Sequence, residues 1–199
     1  MEFYDAIKNR HSIYGLSDEE IVPRERIEEI LRDTLNHMPS TYNVQSTRFV
    51  LLFGEDHKAL WEITLQELKK LTTPERFAQT VSKVNGSFAS GYGTILFFED
   101  QAATDELIAK YPTYADKFTQ WAQHTNAMHQ YVVWTALEAE GLGASLQHYN
   151  PLIDQPVKER WNLPASWTLI AQMPFGKPTA SGGQKPKKAI EERLKIFGV

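Results

Sequence analysis

The feature that most constrains the fold of this chain is a long apolar stretch that ends in two closely spaced glycines. Between Tyr131 and Ala139 the apolar residues leave no wholly polar face, and a helix of this kind is normally enclosed by other elements. Gly141 can take the left-handed backbone that closes a helix, and Gly143 permits a second bend before a strand-like run beginning at Ala144. The sequence therefore predicts a buried central helix. Most such helices are core and nothing more, so any chemistry must come from other segments.

Short apolar runs elsewhere predict a small sheet, and periodic apolar residues between them predict helices. The strand candidates are residues 48–53, 94–98, the run after Gly143, and 167–173. Helices are predicted near residues 3–7, 23–35, 61–71, 74–84, 102–110, 121–139 and 152–161. We expect the pair at 61–84 to be a peripheral lid or insertion. The fold class is α+β, with a small mixed sheet surrounded by helices and an extended C-terminal tail that ends in an apolar stripe of Ile190, Leu194 and Phe197.

Composition bounds the number of domains and the kinds of partner. The chain has 199 residues, 42% of them hydrophobic, which predicts a single globular domain over residues 1–199. A formal net charge of −4 gives no general reason to expect nucleic-acid or membrane binding. The absence of cysteine fits a reducing compartment, and no stretch approaches the length of a membrane span. We therefore expect a cytoplasmic location.

Several common catalytic and cofactor motifs are missing from the chain. Gly141-Leu142-Gly143 follows a helix rather than a strand, so it is not a dinucleotide fingerprint, and no separate NAD domain is expected. The chain has neither a Gly-x-Ser-x-Gly elbow nor a Walker-type loop. Its six histidines have no metal-ligand spacing, so a metal site is not expected.

Three separated segments carry side chains suited to a phosphorylated planar ligand. Arg10-His11-Ser12 offers guanidinium, imidazole and hydroxyl donors, and the tail offers Lys185, Lys187 and Lys188. The stretch from Ser40 to Gln45 offers hydroxyl and amide groups able to bind the edge of a heterocycle. Each segment also has a plain structural interpretation: a solvated helix end, a solubilising tail and an ordinary turn. The functional interpretation depends on the order in which the three occur.

That order resembles the nitroreductase family of FMN flavoproteins over nearly the whole chain. The family opens with Arg-x-Ser after a short helix, here Arg10-His11-Ser12. It continues with Pro-Ser-x-x-Asn-x-Gln, here residues 39–45, then a strand, a central helix ending in Gly-Leu-Gly, and a basic C-terminal stretch. The segments 45–48, 91–100 and 142–151 are most similar to the subgroup of yeast fatty-acid-repression-mutant-type and bacterial copper-induced nitroreductases.

The resemblance implies a noncovalent FMN site and assigns residues to it. Arg10 and Ser12, with His11 nearby, would bind the phosphate and ribityl chain, and Lys185 and Lys187 would complete the phosphate site. Ser40 belongs to the loop whose Asn43 and Gln45 would hydrogen-bond the flavin ring, and the backbone of Leu146, Gln147 and His148 would lie near the reactive nitrogen. Because the flavin carries the chemistry, no catalytic side chain is expected.

The resemblance also implies an activity and an assembly. We expect an FMN-dependent oxidoreductase that uses NADH or NADPH to reduce nitroaromatic or quinone-type acceptors by a ping-pong mechanism and serves oxidative or chemical stress defence. The alternative is a flavin-binding stress or regulatory protein whose turnover is incidental. Family members are homodimers with FMN at the subunit interface. Tyr14, where many relatives carry Arg or Lys, and Ser46-Thr47, in place of Pro-Trp, both fit the named subgroup.

Overall fold

The computed structural model of the chain describes residues 2–183 and 185–198. In this part of the chain a five-stranded sheet has the order β1-β5-β3-β2, with β4 paired to β5. The strands are β1 Leu16–Ser17, β2 Thr47–Phe53, β3 Gly93–Asp100, β4 Gly143–Ala144 and β5 Trp167–Pro178. The α-helices are α1 Phe3–Asn9, α2 Arg24–His37, α3 Gly54–Lys69, α4 Pro74–Val84, α5 Gln101–Lys110, α6 Ala115–Ala139 and α7 Asp154–Arg160. The predicted α+β class is confirmed.

The strand β3 is the centre of the sheet and is buried on both faces. Its residues from Gly93 to Glu99 are all buried, because β2 and β5 pair with its two edges and helices cover both faces. The named strands pair antiparallel. A parallel pairing occurs as an isolated bridge between Ser12 and Ala144, which joins the chain after α1 to the chain after α6.

Helix α6 is enclosed on one side within a single chain. Val133 and Leu137 are fully buried against the sheet, in the same core cluster as Phe97 and Met173. On the other side Tyr131 is 41% exposed, so the predicted burial holds for only one face of the helix. The exposed face is apolar and is available to a second surface.

At the end of α6, Gly141 has the predicted left-handed backbone, whereas Gly143 does not serve as a second bend. Gly141 has a φ of +83°, its N–H donates to the Glu138 carbonyl, and the Leu142 N–H donates to the Leu137 carbonyl, each at 2.9 Å. This is the Schellman pattern of helix closure. Gly143 is needed for a different reason: a Cβ there would lie 2.9 Å from Ile13 Cγ2, so the missing side chain makes room for the side chain of Ile13.

Helix α3, the first helix of the pair between residues 54 and 84, is not a peripheral lid. Leu60 and Trp61 of α3 are almost fully buried and share a core cluster with Leu96 and Phe98 of β3. The far face of the sheet would be exposed without α3, since this helix supplies much of the apolar surface that covers it. The lid prediction is therefore wrong for α3, which is a layer of the core.

Three local features were not visible in the sequence pattern. The strand β1 has only two residues, β5 continues beyond Met173 to Pro178, and residues Asn85–Ala89 form a π-helical turn after α4. The predicted apolar stripe of the tail contains one short 3-10 turn, Ile190–Glu192, and its apolar side chains are exposed. None of the helices in the described part of the chain has the length and apolar composition of a bilayer span.

A buried histidine joins α3 to the sheet. His57 is 2% exposed. Its Nε2 lies 3.2 Å from the Ala89 carbonyl oxygen, which can only accept, so Nε2 carries the proton and Nδ1 accepts from Thr94 Oγ1 at 2.8 Å. Thr94 Oγ1 in turn accepts from the Trp61 indole N–H at 3.1 Å. The neutral imidazole thus satisfies every polar atom in the group, and burial lowers the pKa of His57 to about 4.

This lowered pKa predicts a loss of stability in mild acid. An unfolded histidine titrates near 6.5, so the unfolded chain binds the extra proton first, and stability falls as pH drops from 6.5 towards 4. Between pH 7 and pH 4 the free energy of unfolding should fall by up to about 3 kcal/mol more in the parent than in His57→Gln, measured by denaturant titration. Trp61→Phe is the matched control, since it removes a donor to Thr94 but keeps the imidazole. Parallel pH profiles for the parent and His57→Gln would contradict the assignment.

Candidate functional site

The structure brings the first and the last of the three predicted segments into one cleft of about 700 Å³. Ile13 donates its N–H to the Ala144 carbonyl at 2.9 Å, which fixes the chain after α1 against the end of α6. The tail then passes close to His11, because a Cβ at Gly182 would lie only 2.5 Å from His11 Cβ. The lining residues are Ile7, Lys8, Arg10, His11, Ser12, Tyr14, Gly15, Ala180, Ser181, Gly182, Gly183, Lys185 and Lys187.

The Arg10 guanidinium is held in place by aromatic rings. Its central carbon lies 4.3 Å from the Trp134 ring centroid and 5.7 Å from that of Tyr131, both on α6. Cation–π contacts of this kind favour a partly desolvated guanidinium. The buried Arg10 Nε has no hydrogen-bond partner among the described residues. Arg10 is thus a cation whose orientation is fixed and whose donors face an open cleft.

The charges around Arg10 leave the cleft positive. Across residues 2–183 and 185–198, Arg10, Lys185 and Lys187 form no ion pair. Burial raises the pKa of the Glu138 carboxyl, and electrostatic attraction from His11 and Arg10 partly offsets this increase. His11 donates from Nδ1 to the Asn9 carbonyl at 2.5 Å, which orients the ring. Such a set of donors suits an anionic group.

The Ser40–Gln45 loop lies at a different place on the same chain. Asn43 and Gln45 are exposed, and Gln45 and Ser40 line a separate hollow of about 220 Å³ together with Thr47, Arg48 and His129. The loop has an unusual backbone, since Tyr42, Asn43 and Gln45 have φ values of 50°, 56° and 48°. Neither Ser40, Asn43 nor Gln45 lines the basic cleft. One chain therefore does not unite the two predicted halves of the site.

The segment after β4 is rigid at its backbone. Gln147 and Gln172 exchange two backbone hydrogen bonds of 2.7 and 2.9 Å, and the Gln172 side-chain oxygen accepts from the Tyr149 N–H at 2.8 Å. Leu146 packs against the core and His148 is exposed. Leu146, Gln147 and His148 line neither of the two hollows.

Three contributors to these surfaces cannot be identified from the sequence pattern alone. Trp134 and Tyr131 were interpreted only as apolar helix residues, although they support Arg10. Arg48 was interpreted only as the start of a strand, although its guanidinium holds the Gln45 carbonyl. The contact of Arg10 with Tyr131 and Trp134 can be recognised only when the fold has placed α1 beside α6. In the described residues no three His, Asp or Glu side chains are grouped so as to hold a metal ion.

Comparison with known proteins decides the family. The nitroreductase family matches residues 7–177, which is most of the chain. The chain belongs to the nitroreductase family. It is accordingly an oxidoreductase of the nitroreductase type, and the nitroreductase-like fold predicted from the sequence is confirmed.

Individual relatives support the predicted subgroup of nitroreductases. The chain is 36% identical to the protein HBN1 of Saccharomyces cerevisiae over 98% of this chain and 96% of that one. It is 31% identical to the nitroreductase FRM2 of the same yeast, over 92% and 91% of the two chains. The solved nitroreductase CinD of Lactococcus lactis is 37% identical, covers 99% of this chain and 100% of its own, and superposes with a TM-score of 0.90.

Proposed function

We propose that this nitroreductase is an FMN-dependent enzyme that uses NADH or NADPH to reduce nitroaromatic or quinone-type acceptors. The observation that carries the proposal is the cleft in which Arg10, His11 and Ser12 meet Lys185 and Lys187. Arg10, Lys185 and Lys187 lack ion-pair partners among the described residues, and the Arg10 Nε is buried without an acceptor. An anionic cofactor would satisfy these groups.

The cleft fits the phosphate of FMN in charge and in donor chemistry. A phosphate ester carries a charge near −2, and each charge-assisted hydrogen bond to it is worth roughly 1.5–3 kcal/mol. Arg10, fixed on Trp134, would supply a planar pair of donors, Ser12 a hydroxyl, and Lys185 and Lys187 two mobile cations. Together these groups would hold FMN without a covalent bond.

A homodimer would complete the site. The loop with Asn43 and Gln45 lies outside the basic cleft of its own chain, so we propose that the loop of a second copy supplies the ring contacts. An apolar groove of about 370 Å³ along the open face of α6 offers a surface for that copy. Its lining residues are Phe3, Ala6, Tyr131, Val132, Thr135, Ala136 and Ala139. The exposed apolar side chains of the tail offer a further contact.

The acceptor and the electron donor are proposed to use one pocket in turn. CinD has been solved with chloramphenicol, with 4-nitrophenol and with nicotinic acid. 4-Nitrophenol is a nitroaromatic, and nicotinic acid is a close analogue of nicotinamide. Binding of both kinds of molecule to this relative supports the proposal that one pocket of the present chain serves donor and acceptor in turn. Bound FMN would supply the transfer of electrons between donor and acceptor. The chain would bind the phosphate, orient the ring and exclude water.

With no cysteine in the chain, we propose the cytoplasm as its location.

Purified protein should bind FMN and turn over. Added FMN should remain bound through gel filtration, NADH or NADPH should bleach the flavin absorbance, and 4-nitrophenol or a benzoquinone should restore it within seconds. Absorbance in a stopped-flow instrument measures both half-reactions. Protein that binds no FMN would refute the proposal. Protein that binds FMN but shows no bleaching by either nucleotide would favour the flavin-binding regulatory alternative.

Arg10 should contribute more to FMN affinity than Lys187. Arg10 is fixed on Trp134 and offers a planar fork, whereas Lys187 is an exposed, flexible ammonium. Isothermal titration should show that Arg10→Ala weakens FMN binding at least about tenfold and Lys187→Ala about threefold, as expected from one strong and one weak charged hydrogen bond. Equal losses in the two variants would show that Arg10 is not the principal phosphate anchor.

A further inference from the structure

The Ser40–Gln45 loop holds three non-glycine residues in a conformation that they seldom adopt. Tyr42, Asn43 and Gln45 all have positive φ values near 50°. For residues with a Cβ, a left-handed backbone costs on the order of 1–3 kcal/mol and persists only where the surroundings impose it. Asn tolerates this region better than Gln or Tyr does. Gln45 therefore needs a specific restraint.

Both backbone polar groups of Gln45 are held by side chains. Its N–H donates to Ser40 Oγ at 2.9 Å, and its carbonyl accepts from the Arg48 guanidinium at 2.5 Å. The turn before it is closed by ordinary backbone bonds from Asn43 to Ser40 and from Val44 to Thr41, each 3.0 Å. The side-chain contacts to Gln45 are thus what fixes the left-handed residue at the end of the loop.

Arg48 is itself anchored to the body of the protein. Its guanidinium forms an ion pair with Asp100 Oδ2 at 3.0 Å, with only 32% and 16% of the two side chains exposed. The other oxygen, Asp100 Oδ1, accepts from Ser166 Oγ at 2.8 Å and from the Ala102 N–H at 3.3 Å, which caps α5. The Gln45 carbonyl is therefore connected through Arg48 to the end of β3 and the start of α5.

We infer that Arg48, anchored on Asp100, is a positioning residue for the flavin ring contact proposed for Gln45. The direction of a side chain follows from the φ of its own residue, so loss of the left-handed backbone at Gln45 would turn its amide away from its present direction. This inference rests on the proposed function for the ring contacts. Its structural half, the restraint of Gln45, stands on the contacts alone.

A double-mutant cycle on the full chain tests the restraint without any cofactor. Arg48→Gln should lower the folding equilibrium constant of the parent by about tenfold more than it lowers that of Gln45→Gly, because glycine takes a positive φ without strain. Arg160→Gln is the matched control: it breaks another Arg–Asp pair, with Asp56 at 3.5 Å, and should be additive with Gln45→Gly. Additive effects of Arg48→Gln and Gln45→Gly would overturn the inference.

The reduction potential of the FMN-loaded protein tests the functional half. Amide donors at the ring edge favour the reduced flavin, so Arg48→Gln should reduce the preference for reduced over oxidised FMN about tenfold, a fall of about 30 mV in a two-electron couple. Arg160→Gln should leave the potential unchanged. An unchanged potential in Arg48→Gln would overturn the inference.

Asp100→Asn separates positioning from simple charge. If only the charge near the flavin matters, removing the carboxylate makes the site more positive and raises the potential. If Asp100 acts by anchoring Arg48, the same variant lowers the potential, as Arg48→Gln does. A raised potential would therefore contradict the inference. Should the parent bind no FMN, the proposed function would fail, and the folding cycle would still decide whether Arg48 restrains Gln45.

Discussion

The candidate cofactor site depends on the pairing of β5 with three other strands. Along most of its length β5 pairs with β3, and its last residues pair with β4 and β1. The pairing of Gly176 with Gly143 brings the end of α6 to the sheet, and that of Pro178 with Leu16 brings the chain after α1 to the same place. The tail leaves β5 directly beside His11 as a result. Without this junction the two basic segments, separated by almost the whole sequence, would not share a cleft.

The cleft is positive although the chain as a whole is negative. The formal net charge is −4, yet three cations that line the cleft, Arg10, Lys185 and Lys187, form no ion pair with any of residues 2–183 and 185–198. Arg10 is supported by aromatic faces rather than by a carboxylate, so its charge is oriented without being neutralised. The carboxyl of Glu138 interacts electrostatically with Arg10 and His11, and burial raises its pKa. This arrangement explains how an acidic protein of this family can present a local site for an anionic cofactor.

The sequence predicted the elements whose evidence is local. The apolar runs of β2 and β3 and the Gly141 closure of α6 needed only periodicity and glycine chemistry. The sequence did not predict the elements that depend on contacts between residues far apart along the chain. The two residues of β1 are a strand only because β5 passes beside them, and α3 belongs to the core only because its Trp61 meets β3.

The candidate site also has features that the local sequence predicts and features that depend on distant contacts. The residue types of the basic cleft and of the loop are visible as motifs, and their order carries the family resemblance that assigns them roles. The left-handed backbone of Gln45 could not be predicted, since no glycine marks it and the restraint comes from Arg48 and Asp100. Nor could the sequence reveal that the cleft and the loop lie apart on one chain. Because the cleft and the loop lie apart, the proposed cofactor site requires two copies of the chain.

Complementation between two defective variants tests the shared site most directly. Arg10→Ala damages the cleft and Gln45→Ala damages the loop, so each variant alone should reduce 4-nitrophenol slowly. If each site combines the cleft of one copy with the loop of the other, co-refolding equal amounts should give about a quarter of the sites intact, since half of the dimers are mixed and each has one undamaged site. Recovery to about a quarter of the parent activity is the predicted result. Activity that never exceeds the mean of the two variants would show that each site lies within one chain and would contradict the account.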